Sequence, residues 1–134
     1  MARFPSDEWV TEYAQKLNEN KNYEEAARTW EGDFLFVVTP DEGLDREYVV
    51  YLDLWHGKCR DAKLLQNRGE KSAEYAYEGP YSNWKKLIRG EIDPIKGLMT
   101  RKFRLRGNML KVMRATRAAS ELVSTAKMVQ TEFV

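Results

Sequence analysis

Cysteine and histidine occur once each in this 134-residue chain, and no apolar run approaches the roughly 18 residues that cross a membrane as a helix. With Cys59 alone there is no internal disulfide framework and no cysteine-built zinc site, a usage that suits a reducing compartment. Any Ser/His/Asp or Cys/His catalytic set would have to pass through His56. That residue precedes Gly57 in a predicted hairpin turn, where a turn role is the expectation. Gly57-Lys58 lacks the remainder of a phosphate-loop pattern and does not lead into a helix. The opening Met-Ala-Arg-Phe-Pro-Ser-Asp-Glu has no signal-peptide apolar region, so the expected location is cytoplasmic. Catalytic residues, metal and cofactor are all expected to be none. Repeats and low-complexity segments are also missing, and the length predicts a single domain over residues 1–134.

Acidic residues are missing between Pro94 and Ser120, although the net charge of the whole chain is only +1. Lys96, Arg101, Lys102, Arg104, Arg106, Lys111, Arg114 and Arg117 all fall in that stretch, while most acids lie in the N-terminal part. Two readings follow. The strip is either a set of solvated faces paired with acids brought near by the fold, or a surface that attracts anionic lipid headgroups or nucleic acid. The first is the plainer expectation, and nucleic acid is not an expected partner.

What the chain does contain is a succession of clear periodicities. Ser6 before Asp7 and Glu8 predicts a helix start, and Trp9, Tyr13 and Leu17 recur at four-residue steps. A short helix follows at about Tyr23 to Arg28. Phe34 to Val38 reads as a strand closed by a turn cluster from Thr39 to Gly43. Tyr48 to Trp55 is a second strand with Val50, Leu52 and Leu54 on one face. Lys58 to Leu64 is a third, returned by His56-Gly57, so the three form a meander. Asp53, on the opposite face, is expected in a cross-strand ion pair. After a polar break at Gln66 to Lys71, Ala73 to Glu78 alternates again with Tyr75 and Tyr77 on one side. Tyr81 to Arg89 is helical with Trp84, Leu87 and Ile88 inward, and Asp93-Pro94 starts a helix carrying Ile95, Leu98 and Met99. Phe103 and Leu105 then alternate with basic residues as in a half-buried strand. Beyond Gly107-Asn108 a last helix turns Met109, Val112, Met113 and Thr116 inward.

Aromatics at Phe34, Phe36, Tyr75, Tyr77, Trp84 and Phe103, facing methionines at 99, 109 and 113, describe either an ordinary core or an apolar pocket with a few orienting hydroxyls. From Tyr75 onward the residues resemble a known family. A strand ending at Gly79-Pro80, a helix from Trp84 to Gly90, Pro-Ile-Lys-Gly-Leu-Met at 94–99 and Lys-Phe-Arg-Leu-Arg-Gly-Asn-Met at 102–109 look like the sterol carrier protein, or non-specific lipid-transfer, family. Trp30-Glu31-Gly32-Asp33-Phe34 and the Tyr48 to Trp55 strand fit that family's first strands, so the resemblance spans nearly the whole chain.

The resemblance implies an α+β fold: a five-stranded, mostly antiparallel sheet with helices covering one face and an apolar tunnel between the layers. It implies reversible, non-catalytic binding and transfer of a fatty acyl chain, an acyl-CoA or a sterol-like molecule; the basic strip adds an anionic membrane surface as a transient partner. The candidate ligand-binding residues are Phe34, Phe36, Leu52 and Leu54 on the first strands and Tyr75 and Tyr77 on the fourth. Trp84, Leu87 and Met99 come from the middle helices; Phe103, Leu105, Met109, Val112 and Met113 come from the last strand and helix. Two other readings stay open: an interaction domain with a self-filled core, and an accessory subunit of a small-molecule enzyme using Asp53 and His56.

Overall fold

The computed structural model describes residues 1–133; Val134, the last residue of the expected domain, lies outside them. A short strand β1 (Ala2–Phe4) leads to helix α1 (Asp7–Glu19), whose start is held by the Ser6 hydroxyl accepting from the Trp9 N–H at 3.1 Å. The four-residue rhythm buries Trp9, Tyr13 and Leu17 on one face, together with Val10. Asn20 caps α2 (Lys21–Ala26) by accepting from the N–H groups of Asn22 and Tyr23.

The predicted meander is present: β2 (Glu31–Thr39), β3 (Tyr48–Trp55) and β4 (Lys58–Leu65) pair antiparallel in sequence. His56 and Gly57 both have positive φ, 49° and 81°, the backbone that a two-residue hairpin requires. Asp53 receives both Nε and Nη2 of Arg60, at 3.1 and 3.2 Å, as the cross-strand reading expects. Strand β4 would be an open edge, but α1 closes it. Asn18 donates to the Cys59 carbonyl at 2.9 Å and accepts from its N–H at 2.8 Å. Cys59 itself is buried, and burial pushes its thiol up to about 11, so it behaves as a small apolar residue.

Strand β5 (Tyr75–Pro80) pairs parallel with β2, and β6 (Arg104–Arg106) pairs antiparallel with β5, giving the order β4-β3-β2-β5-β6. Helices α3 (Tyr81–Ile88) and α4 (Pro94–Met99) lie between those two strands in sequence. The chain ends with α5 (Met109–Arg114), α6 (Thr116–Met128) and β7 (Thr131–Phe133), and β7 pairs parallel with β1 in a separate two-stranded sheet. This second sheet has no counterpart in the sequence reading, because three residues are too few to establish a period.

Three further expectations are corrected. The strand begins at Arg104, not Phe103; a Cβ at Gly79 or Gly97 would lie 2.5 or 3.0 Å from the Phe103 ring, so that ring fills a slot between two glycines. The last helix is two helices, because the backbone at Ala115 (φ −90°, ψ 45°) leaves helical geometry. Thr116 is therefore exposed. Finally, the polar break is a strap across the sheet face remote from the helices. Leu35, Val37, Val49, Tyr51, Leu65 and Ala76 form a second buried cluster there. Arg68 holds the strap by donating to Glu47 and Glu78 at 2.8 to 3.0 Å, and the Glu74 N–H donates to Asp33 at 2.7 Å. Those two carboxylates raise the Arg68 pKa.

Tyr75 is wholly buried between Gly32 and Gly107; a Cβ at Gly107 would come within 2.4 Å of its ring, and the Gly107 backbone has φ 128°. Gly107→Ala therefore combines overpacking with a backbone that L-residues avoid, and should lower stability by about 3 kcal/mol. Urea unfolding should show a reduced midpoint with the slope unchanged.

Candidate functional site

Strand alternation turns Phe34, Phe36 and Val38 of β2, Val50 and Leu52 of β3 and Tyr77 of β5 toward the helices. Opposite them stand Trp9 and Tyr13 of α1, Trp84, Leu87 and Ile88 of α3, and Pro94 and Ile95 of α4. Val112 of α5 and Ala119, Leu122, Val123 and Ala126 of α6 complete the cover, with Phe4 of β1 at one end. Large rings on the sheet meet alanine and valine on α6, and the layers do not fill the space between them. A cavity of about 110 Å³ remains. The lining residues Pro94, Ile95, Ala119, Leu122 and Val123 are only partly buried, so the cavity approaches solvent along α4 and α6.

Four lining side chains carry a polar atom, and each is already engaged. The Tyr13 hydroxyl donates to the Leu122 carbonyl and the Tyr77 hydroxyl to the Pro94 carbonyl, both at 2.8 Å. Trp9 Nε1 donates to Thr131 Oγ1 at 2.9 Å, and Trp84 Nε1 to the Val37 carbonyl at 3.0 Å. Burial raises the pKa of both tyrosines, aided at Tyr77 by the charge of Asp93, so the phenols stay neutral. Charged side chains do not line the cavity among the described residues. The wall thus offers a guest dispersion contact and no free donor on these four side chains, whose protons are all committed; the two phenol oxygens keep only an acceptor lone pair.

Of the candidate residues, Phe34, Phe36, Leu52, Tyr77, Trp84, Leu87 and Val112 line this cavity. Leu54 lines a smaller chamber of about 40 Å³ that shares Phe34, Val112, Ala119 and Leu122 with the first. Tyr75 and Phe103 sit one layer back, stacked on Phe34 and Tyr77 with ring centroids 4.9 and 4.8 Å apart. Leu105 and Met113 are partly buried against the core. Met99 and Met109 are 67 % and 44 % exposed and form no part of the wall, because their short helices turn Leu98 and Val112 inward instead. The candidate list omitted Phe4, the α1 pair Trp9 and Tyr13, Val38 and Val50 on the strands, Ile88, Pro94 and Ile95 on the middle helices, and the α6 residues. The α1 rhythm and the helical spacing of Ala119, Leu122, Val123 and Ala126 were visible signals.

His56 lies far from this chemistry, in the exposed hairpin, with Nε2 2.5 Å from Glu31 Oε2. No cluster of His, Cys, Asp and Glu suited to a metal ion occurs among the described residues, and none of their helices is long and apolar enough to cross a membrane.

Residues 11–120 match the model of the SCP-2 sterol transfer family. Among solved structures, the crystal structure of a sterol carrier protein 2 is 35 % identical with a TM-score of 0.83, covering 92 % of this chain and 97 % of its own. A conserved hypothetical protein from Thermus thermophilus, described as possibly a sterol carrier protein, is 34 % identical with a TM-score of 0.85, over 95 % of this chain and 90 % of the other. The Aedes aegypti sterol carrier protein 2, solved with palmitate, shares the fold at 14 % identity and a TM-score of 0.54, over 88 % and 93 % of the two chains. A search of curated proteins finds no match.

If the phenols serve only to tie the cover to the wall, Tyr13→Phe and Tyr77→Phe should each cost about 1 kcal/mol of stability. Binding of an apolar environment-sensitive dye should stay the same in both variants. A loss of dye affinity without a loss of stability would show that a hydroxyl faces the guest.

Proposed function

The chain belongs to the SCP-2 sterol transfer family, and from that premise we propose that it holds the hydrocarbon chain of a fatty acid or fatty acyl ester, without chemistry, and exchanges it with anionic membranes. The observation that carries this reading is the wall whose four polar tips are all hydrogen-bonded within the protein. A carboxylate or a CoA phosphate placed inside would lose its water without gaining a donor from these side chains. A methylene chain loses nothing. The polar head therefore belongs outside, near the half-exposed residues of α4 and α6. Burying about ten methylenes at roughly 0.8 kcal/mol each yields ~8 kcal/mol, the scale of a micromolar complex.

The basic strip favours the membrane as donor and acceptor of the ligand. Among the described residues, none of the eight cations from Lys96 to Arg117 forms an ion pair, although acids elsewhere pair with Lys21, Lys58, Arg60, Arg68 and Lys85. The described acids that the plainer reading would pair with the strip do not lie within ion-pair distance, which leaves its cations solvated and supports the membrane reading. Met109 and Leu110 project from the same segment, Leu110 being 60 % exposed, and an apolar step within a basic field suits an anionic lipid surface. Lys111 is partly withdrawn: its ammonium donates to the Glu31 carbonyl at 2.7 Å and lies 4.6 Å from the Trp30 ring centre.

Long-chain fatty acids should displace a fluorescent fatty acid saturably, with micromolar or tighter affinity, and Ala119→Phe should weaken this by tenfold or more in a protein that still melts cooperatively. Failure of every acyl chain and sterol to displace the probe would leave the self-filled domain as the reading.

Exposed Arg114 and Arg117 offer the test of delivery. Reversing both to Glu should slow transfer to anionic vesicles by tenfold or more at low salt, given about 1 kcal/mol per cation near the surface. The difference should shrink above roughly 0.1 M salt, where screening acts within about 10 Å, and affinity for ligand in solution should be unchanged.

A further inference from the structure

We infer that the small chamber under α6 holds the carboxylate of a free fatty acid, with the Tyr23 hydroxyl as its hydrogen-bond donor, while the chain lies in the main cavity. The inference rests on the acyl-chain reading above and narrows it from acyl compounds in general to the free acid. The two spaces adjoin, since Phe34, Val112, Ala119 and Leu122 belong to the walls of both. A chain that lies in the first and ends in the second passes only apolar side chains.

One phenol distinguishes the chamber from the main cavity. Tyr23 of α2 lines it and is 1 % exposed. Its N–H donates to the Asn20 cap, but its hydroxyl makes no hydrogen bond among the described residues. That hydroxyl is not sealed, as the unpartnered hydroxyl of Tyr75 is, so it keeps contact with open space, and the space its side chain lines is this chamber. The titratable neighbours that bear on it are committed elsewhere: the Tyr13 hydroxyl donates to the Leu122 carbonyl at 2.8 Å, and the Cys59 thiol to the Asp61 carbonyl at 3.4 Å. Burial raises the Tyr23 pKa, with Cys59 adding to the shift, so the phenol stays a neutral donor. Trp30 carries the other polar side-chain atom of this lining, and its Nε1 already donates to the Gly32 carbonyl at 3.0 Å. A water in the chamber would find one side-chain partner, short of the roughly two to four that hold a buried water. An acceptor on a guest already anchored through its chain needs only that one.

Charge and access favour a carboxylate as that acceptor. The Lys111 ammonium lies 4.6 Å from the centre of the Trp30 ring, so a cation stands beside the chamber wall. Trp30, Ala115, Ala119 and Leu122 are only partly buried, so the chamber opens to solvent and a carboxylate oxygen not bound by Tyr23 keeps its water. An ester offers the same phenol a neutral carbonyl, which makes the weaker bond and gains nothing from the nearby cation.

The test is displacement of an uncharged apolar dye by a long-chain fatty acid and by its methyl ester, in the parent and in Tyr23→Phe, which removes one oxygen atom. The acid should bind the variant about tenfold more weakly, and the ester less than about threefold more weakly. Because the hydroxyl has no partner to lose in the free protein, ligand-free Tyr23→Phe should melt no lower than the parent, in contrast to Tyr13→Phe. A lowered melting temperature, an unchanged affinity for the acid, or equal losses for acid and ester overturns the inference and leaves acyl binding standing. No binding of any chain by the parent protein overturns the acyl reading itself.

Discussion

Within the main sheet, one ladder joins the meander to the later strands: the parallel pairing of β2 with β5. The meander of β2, β3 and β4 is a local structure built by hairpins, and the helices α3 to α6 follow later in the chain. They share a core because β5 docks on β2 in a register that sets Tyr75 opposite Phe34 and Tyr77 opposite Phe36. Parallel pairing needs a long return of the chain and closes late in folding. Its reward is an aromatic platform, with Phe34 stacked on Tyr75 and on Phe36 at centroid distances of 4.9 and 5.0 Å. Glycines make that platform fit, since Tyr75 occupies the gap between Gly32 and Gly107, and Phe103 that between Gly79 and Gly97.

The cavity follows from the same register. A sheet that presents rings in adjacent positions cannot be close-packed by a helix carrying alanine at 119 and 126, and the mismatch leaves space. Such a space invites water unless its walls are apolar. Here the hydrogen bonds of Tyr13, Tyr77, Trp9 and Trp84 serve two purposes at once. They satisfy buried donors, each of which would be costly if left alone, and they tie α1, α4, α6 and β7 into the cover. Polarity is thus exported from the cavity to its frame.

Charge is separated along similar lines. Acids of the N-terminal half are occupied on the sheet, with Asp53 on Arg60 and Glu47 on Arg68, and Glu24 on Lys58. Exposed pairs of this kind add little stability. Their consequence is that a net charge of +1 conceals a surface on which the cations from Lys96 to Arg117 remain unneutralised. The segment that supplies Val112 to the cavity wall also carries Met109, Leu110 and Arg114 outward, so one short helix faces both the cavity and solvent.

Much of this was legible in the residues. Capping by Ser6 and Asp93, the His56-Gly57 turn, the Asp53 pair and the inward faces of β2, β3 and β5 are local matters, decided by backbone preference and by periods of two and 3.6. The family resemblance rested on the pattern of residues 96–113 and, over the rest of the chain, on the order of elements. What local periodicity left undetermined is which apolar faces enclose space and which bury one another. Met99 and Met109 sit at helical spacing with inward residues yet stay in solvent, because α4 and α5 are too short to bury a second row. Tyr75 and Tyr77 alternate identically along one strand, but only Tyr77 reaches the cavity. The direction of a phenol, the break at Ala115 that swings α6 over the sheet, and the pairing of β1 with β7 depend on partners up to 129 residues away, as in Ala2 opposite Thr131. Residue order was enough to dictate the caps, the longer elements and the inward faces of the main strands. Where the rings leave a void was settled by packing in three dimensions, since a void is a property of surfaces that fail to meet.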